Sequence, residues 1–255
     1  MPISNVTVNC IDLNRSIDFY TKFLGVSVVG EPTEDRATLG LVTSTLTLRR
    51  VEPRSSTWIA NDLQYGFRHM GFKVDQLDAR AAALKEAGVP FHLDPVDAEG
   101  GVRICFFFDP DGTLLEFVEG ELNYSEVMDT VGVAEERSFG VPERPRFDHV
   151  AMTVDDRDVA ESFYRPMGFS LIGTLRQPQD PRGCLISYHR SGRTVLEVFT
   201  WGDPKLCREP SPDAPGFGWV EIEGNPPSSS IPLEPNPKGL LRDPWGFVFA
   251  ARPPA

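Results

Sequence analysis

Hydrophobic and polar positions alternate in short runs along this chain, and the runs return in a recurring order. The stretch "ISNVTVNC" (3–10) alternates with period two and predicts a strand. Ile17, Tyr20, Phe23 and Leu24 then fall at helical spacing in a segment that Gly25 closes. "TSTLTLRRV" (43–51) is alternating and rich in β-branched residues, and "HMGFKVD" (69–75) repeats the character of the opening strand. "LDARAAALKEAG" (77–88) is the clearest helix, with Leu77, Ala81 and Leu84 on one face and Gly88 as its stop. "VRICFFFD" (102–109) and "TLLEFVE" (113–119) predict a hairpin about the turn Asp109-Pro110-Asp111-Gly112. Together these give the order βαβββ, twice.

The same order starts again in the second half. Tyr20 follows Asn5 by 15 positions, Tyr164 follows His149 by 15, and each tyrosine closes an "FY" pair that leads to a glycine. "DPDGTLLEF" (109–117) is echoed by "DPWGFVFAA" (243–251), with a shorter offset than the earlier landmarks, so the second copy is the shorter one. Its last βαβββ unit carries "GNPPSSSIPLEPNPKG" (224–239) where the helix belongs, and the prolines there each remove a donor and clash with a preceding helical turn. We expect module 1 over 1–120, a polar linker without sustained periodicity over 121–146, and a shortened module 2 over 147–255.

Composition narrows the function classes. At 255 residues, 40% apolar and 24% charged, the chain has the makeup of an ordinary water-soluble protein, with no apolar run near the ~20 residues of a membrane span. No membrane partner is expected, and without a secretory leader the cytoplasm is the default location. A formal net charge of -12 repels phosphate backbones, which argues against nucleic acid. Cys10, Cys105, Cys184 and Cys207 are far apart, show no C-x-x-C spacing and read as reduced packing residues.

"DHVAMTVDD…SFY", "HMGFKVDQLDARAAALKEAGV" and "FFFDPDGTLLEF" resemble the vicinal oxygen chelate (VOC) superfamily, which includes glyoxalase I, fosfomycin-resistance proteins, extradiol dioxygenases, methylmalonyl-CoA epimerase and bleomycin-binding proteins. The resemblance covers nearly the whole chain as two tandem modules. It implies an α+β fold in which paired βαβββ units form a curved, partly open mixed sheet around a cleft, and it leaves the reaction open because the family shares a scaffold across many chemistries.

The resemblance also assigns metal-ligand positions. In module 1 these hold Asn5, Thr47, His69 and Glu116; in module 2 they hold His149, Glu197, Trp219 or Gly218, and Ala250. Glyoxalase-like members build each site across an interface, from the first half of one module and the second half of another. Applied here, His69, Glu116, His149 and Glu197 form one complete 2-His, 2-Glu site, while Asn5, Thr47, Trp219 and Ala250 form a dead one. Loss at random positions would damage both, so the split favours a retained divalent metal, with Ni, Co, Mn, Fe(II) and Zn all suited to such donors. Two open cis positions would accept a substrate through adjacent oxygens, with Glu116 or Glu197 moving a proton next to a carbonyl.

The residues also carry plainer readings. His92, in the loop after the helix, and His189, in "SYHRSGR", read as surface or hydrogen-bonded histidines. An inward-facing glutamate on an apolar strand is costly without a metal or cation, which singles out Glu116; Glu197 has Arg193 or Arg190 as alternative partners. The "FY" aromatics read as core and "DPDG" as turn chemistry. Trp201, Trp219, Trp245 and the phenylalanines of "CFFFD" leave room for an aromatic or carbonyl-containing small-molecule substrate.

Three functions therefore compete: a metal-dependent lyase, isomerase or epimerase; an Fe(II) oxygenase using His69, His149 and Glu116 as a facial triad; and a metal-free drug or natural-product binding protein. "RICFFFDPDG" lacks the histidine and tyrosine that extradiol members add, which lowers the oxygenase reading. The site forms within a monomer or between the chains of a homodimer.

Overall fold

The computed structural model of the chain describes residues 3–55, 63–203, 205–206, 209, 211–233 and 238–252. Module 1 runs β1 (Ile3–Cys10), α1 (Leu13–Leu24), β2 (Ser27–Val28), β3 (Arg36–Gly40), β4 (Thr45–Arg50), then β5 (Gly66–Lys73), α2 (Leu77–Glu86), β6 (Phe91–Ala98), β7 (Val102–Phe108) and β8 (Leu114–Glu119). The segment 121–146 contributes β9 (Glu126–Val127) and α3 (Thr130–Arg137). Module 2 runs β10 (Arg146–Val154), α4 (Arg157–Tyr164), β11 (Ser170–Gln177), β12 (Cys184–Ser191), β13 (Thr194–Thr200), β14 (Gly216–Glu223), β15 (Ile231–Pro232), β16 (Leu241–Arg242) and β17 (Val248–Arg252).

The expected α+β character and the repeated βαβββ order are present. No helix stands between β14 and β15 among the described residues, where the proline-rich stretch runs. None of the described helices is long and apolar enough to cross a membrane.

Each of the two mixed sheets draws one unit from each module. One has the order β15-β16-β17-β14-β1-β4-β3-β2, the other β6-β7-β8-β5-β10-β13-β12-β11-β9. Parallel pairs (β1 with β4, β5 with β8, β10 with β13, β14 with β17) come from within units, and the antiparallel pairs β5 with β10 and β1 with β14 stitch the modules together.

Local chemistry fixes the helices over the sheets. Asp12 accepts from the Arg15 N–H at the start of α1, and Gly25 ends it at φ 61°. Asp156 caps α4 through the N–H groups of Asp158 and Val159. The first turn of α2 is satisfied from outside: the Glu119 carboxylate at the end of β8 accepts from the N–H groups of Gln76 and Leu77.

The two "FY" tyrosines and the two "DP" turns, read from sequence as core and turn, are partners. Tyr20 donates its hydroxyl to Asp109 at 2.9 Å, and Tyr164 donates to Asp243 at 2.8 Å. Each aspartate also accepts backbone N–H groups of its own turn, so one buried carboxyl ties the module's first helix to its closing hairpin. Burial pushes Asp109 up to about 6 and Asp243 up to about 7.

The segment expected to be a featureless linker is ordered. β9 adds to the edge of the nine-stranded sheet through Val127 opposite Gly173 and Glu126 opposite Thr174, and Asp129 caps α3. Val133 of α3 packs into a second apolar cluster with Ile172, Leu175, Ile186, Tyr188 and Trp201. A two-residue strand and an eight-residue helix are too short to show periodicity, and tertiary packing holds them.

Candidate metal centre

The central strands of the nine-stranded sheet lie in the order β8-β5-β10-β13, and each gives one inward side chain: Glu116, His69, His149 and Glu197. Register sets their convergence. His69 stands opposite Ala151, which also faces Glu197, and Gly71 stands between Glu116 and His149. All four residues are buried and come from one chain.

The donor atoms meet at a point. His69 Nε2 lies 3.1 Å from His149 Nε2, 3.1 Å from Glu116 Oε2 and 3.3 Å from Glu197 Oε2. His149 Nε2 lies 3.0 Å from Glu116 Oε2 and 3.4 Å from Glu197 Oε2. One ligand atom from each residue lies within 4.8 Å of every other.

This donor set fits a divalent cation. Glu197 Oε2 is buried and makes no hydrogen bond, its neighbours being the two histidine Nε2 atoms at 3.3 and 3.4 Å, an arrangement that a cation between these donors would stabilise. Neither Arg190 nor Arg193 supplies that charge: Arg190 pairs with Glu135 at 2.8 Å, and Arg193 lies over the Phe139 ring. His149 Nδ1 is 3.0 Å from Asp148 Oδ2, a bond that places a proton on Nδ1 and turns Nε2 toward the cluster, where a bound metal would displace any proton it carries. Burial by itself would lower the His149 pKa; the Glu197 charge, the Asp148 hydrogen bond and Glu116 outweigh it and raise the value well above the usual range. Burial likewise opposes ionisation of Glu116, yet the two histidines hold its carboxyl down at about 2.

Glu116, His149 and Glu197 line a cavity of about 250 Å³, while His69 is fully buried. Phe106, Phe199 and Trp201 line it, whereas Trp219 lies on the other sheet and Trp245 donates to Asp155, so the sequence's aromatic candidates divide. Tyr188 also lines the cavity; the Glu197 carboxylate it faces, added to burial, raises its hydroxyl pKa well above normal.

The other composite position lacks such donors. Register makes Asn5 the counterpart of His149, Thr47 of Glu197, Trp219 of His69 and Ala250 of Glu116, which selects Trp219 over Gly218. Glu221 stands where the first site has Gly71. Thr45 and Thr47 donate to Asn5 Oδ1 at 2.9 Å, Glu221 pairs with Arg252 at 2.8 Å, and Arg49 and Lys238 lie over Trp219. A closed polar network occupies this place.

Of the remaining sequence candidates, His92 lies on β6 and not in a loop, because the strand begins at Phe91, directly after the turn that follows α2; its side chain is exposed. His189 is a buried core histidine bonded to Ser187 at 3.1 Å, with burial lowering its pKa to about 4. Cys10, Cys105 and Cys184 are free and buried, and Cys207 lies outside the described residues. Sequence reasoning missed Asp148, Tyr188 and Gly71. Asp148 adjoins His149 and would ordinarily point to the opposite face; a register shift between Phe147 and His149 brings both side chains to the site.

Comparison with known proteins bears on the family and the fold. The model of the Glyoxalase/Bleomycin resistance protein/Dioxygenase superfamily matches residues 3–117. The "Probable lactoylglutathione lyase" of Vibrio cholerae is 30% identical over 116 residues, 43% of this chain and 84% of that protein. The uncharacterized protein YwkD of Bacillus subtilis is 32% identical over 125 residues, 46% of this chain and 95% of that one. The crystal structure of glyoxalase I from Zea mays shares the fold, with a TM-score of 0.66 at 19% identity over 98% of this chain and 91% of that one. With relatives at this identity covered over most of their length, the chain belongs to the glyoxalase/bleomycin resistance/dioxygenase superfamily.

Proposed function

We propose that this chain is a metal-dependent enzyme of the glyoxalase-like lyase, isomerase or epimerase type, with one working site across its two modules. The observation that carries the reading is the convergence of two imidazole nitrogens and two carboxylates, one of them with a buried oxygen that makes no hydrogen bond, beside an apolar-lined cavity. His69, Glu116, His149 and Glu197 would hold the ion. When bound, it supplies Lewis acidity to a substrate oxygen.

The chain's own groups do the remaining work. Glu116 and Glu197 both reach the cavity and are the candidates to take a proton from the carbon next to a carbonyl and return it. Tyr188 faces Glu197 and orients it. Asp148 fixes the His149 tautomer. The apolar walls exclude water from the reacting carbon, which strengthens every charge interaction inside.

The oxygenase reading uses three donors, and the inward Glu197 is a fourth that it does not explain. A metal-free binding protein gives no account of two imidazole nitrogens and two carboxylate oxygens converging within 4.8 Å of one another. Elemental analysis of protein purified without added metal, beside His69→Ala and His149→Ala, tests the proposal. Near-stoichiometric divalent metal lost in both variants supports it, and no metal in the wild type even after reconstitution overturns it.

A further inference from the structure

Beside the metal cluster the cavity carries a distinctive lining. The His69 ring meets Phe106 edge-on at 4.9 Å and Phe199 at 6.2 Å, and Phe199 stacks against Trp201 at 6.0 Å with 14° between the planes. Phe106, Phe199 and Trp201 line the slot of the cavity next to the donor atoms. Leu93, Ile104, Ile186, Leu122 and Leu175 complete its apolar walls.

The charges around the slot do not favour an anion. Apart from Glu116 and Glu197, the lining holds Glu136, Asp148, an exposed Glu99 and an Asp180 paired with Arg182 at 2.6 Å, against Arg68 and Lys73, which leaves no net positive charge for an anion. Lys73 donates to the Gly120 carbonyl at 2.8 Å and already acts on Glu136 and Asp148. Arg68 lies over the Phe199 ring, 4.5 Å from its centre. A glutathione conjugate carries two carboxylates and one ammonium, so its net negative charge would meet acidic side chains and apolar walls. An aromatic, uncharged ligand meets the Phe106 ring and the apolar walls and loses no solvated charge.

One wall comes from the segment between the modules. Leu122 and Glu136 both line the cavity, and Glu136 is held by the Tyr124 hydroxyl at 2.7 Å. Tyr124 in turn packs edge-on against Tyr188 at 5.2 Å. The joining segment is thus tied to the side chain that faces Glu197.

We propose that the cavity takes a compact, uncharged aromatic carbonyl compound with adjacent oxygens, in preference to a peptide-thiol conjugate, and that Leu122 on the joining segment is a specificity-determining residue for it. This rests on the reading of the cluster as a proton-transfer site.

The test is calorimetric titration of metal-analysed full-length protein with 2-hydroxyacetophenone and, separately, with S-benzylglutathione. It is repeated on Leu122→Trp and Leu93→Trp, which fill the slot from two sides, with thermal unfolding recorded for each variant. Expected is saturable binding of 2-hydroxyacetophenone at least about tenfold tighter than S-benzylglutathione, weakened about tenfold or more by a folded slot-filling variant. No binding of 2-hydroxyacetophenone, equal or tighter binding of S-benzylglutathione, or unchanged affinity in both variants overturns the proposal. Exchange of the C–H next to the 2-hydroxyacetophenone carbonyl in D2O, followed by NMR, separates the two claims. Selective binding without exchange sinks the proton-transfer reading and leaves the ligand class standing, whereas exchange with equal binding of both ligands does the reverse.

Discussion

Gly71 and His149 share one volume: a Cβ built on Gly71 would stand no farther than 2.5 Å from three atoms of the His149 ring. The two residues are register partners on β5 and β10, so the missing side chain of one strand makes room for the ligand of the next. At the silent position the corresponding pair is Glu221 and Asn5, and a full side chain occupies the space.

Gly71→Ala should therefore expel the His149 imidazole from the cluster. We expect metal content to fall at least about tenfold, with a stability cost of about 1–3 kcal/mol from overpacking. Elemental analysis beside thermal unfolding checks this, and full metal occupancy in a folded variant would refute the steric argument.

Asp148→Ala removes the acceptor that holds the His149 Nδ1 proton. Metal affinity should drop about 10- to 100-fold while all four donor residues remain. Competition with a chelator of known affinity measures it, and an unchanged affinity would show that packing alone orients His149.

Asn5→Ala strips the acceptor from the Thr47 hydroxyl at the silent site. Leaving a buried hydroxyl unpaired should cost about 1–3 kcal/mol. Metal stoichiometry should stay unchanged, because Asn5 lies on the sheet that does not hold the cluster. Chemical denaturation and metal analysis on one preparation test both halves; a loss of metal would mean the two sites are coupled.

Asp243 provides a pH dependence away from the cluster. Burial raises its folded pKa from 3.8 to about 7, so the folded state prefers the protonated carboxyl. Its contribution to stability is complete below the ordinary carboxylate range and is lost as pH rises through about 7. Asp243→Asn keeps an oxygen for the Trp245 and Phe247 N–H groups and cannot ionise. The variant should thus gain stability relative to wild type between about pH 4 and pH 8, read from denaturation midpoints across that range. A difference that stays constant with pH would remove Asp243 as the cause.

The sequence by itself determined the repeat and the βαβββ order, because alternating strands, glycine stops and "DP" turns are local signals set by backbone sterics and hydrophobic period, whereas the four ligand positions were implied only by its resemblance to a family. It also exposed the division into a complete and an incomplete donor set, since that rests on which residue types occupy repeated positions. Only the tertiary structure decided what lies beside the donors. Asp148 reaches the site through a register shift, Gly71 matters through a ring on another strand, and Tyr20 finds Asp109 89 positions away. The segment 121–146 is ordered by contacts with β11 and the second apolar cluster and not by its own propensity. These are long-range packing relationships, and a local pattern carries no trace of the partner that completes them.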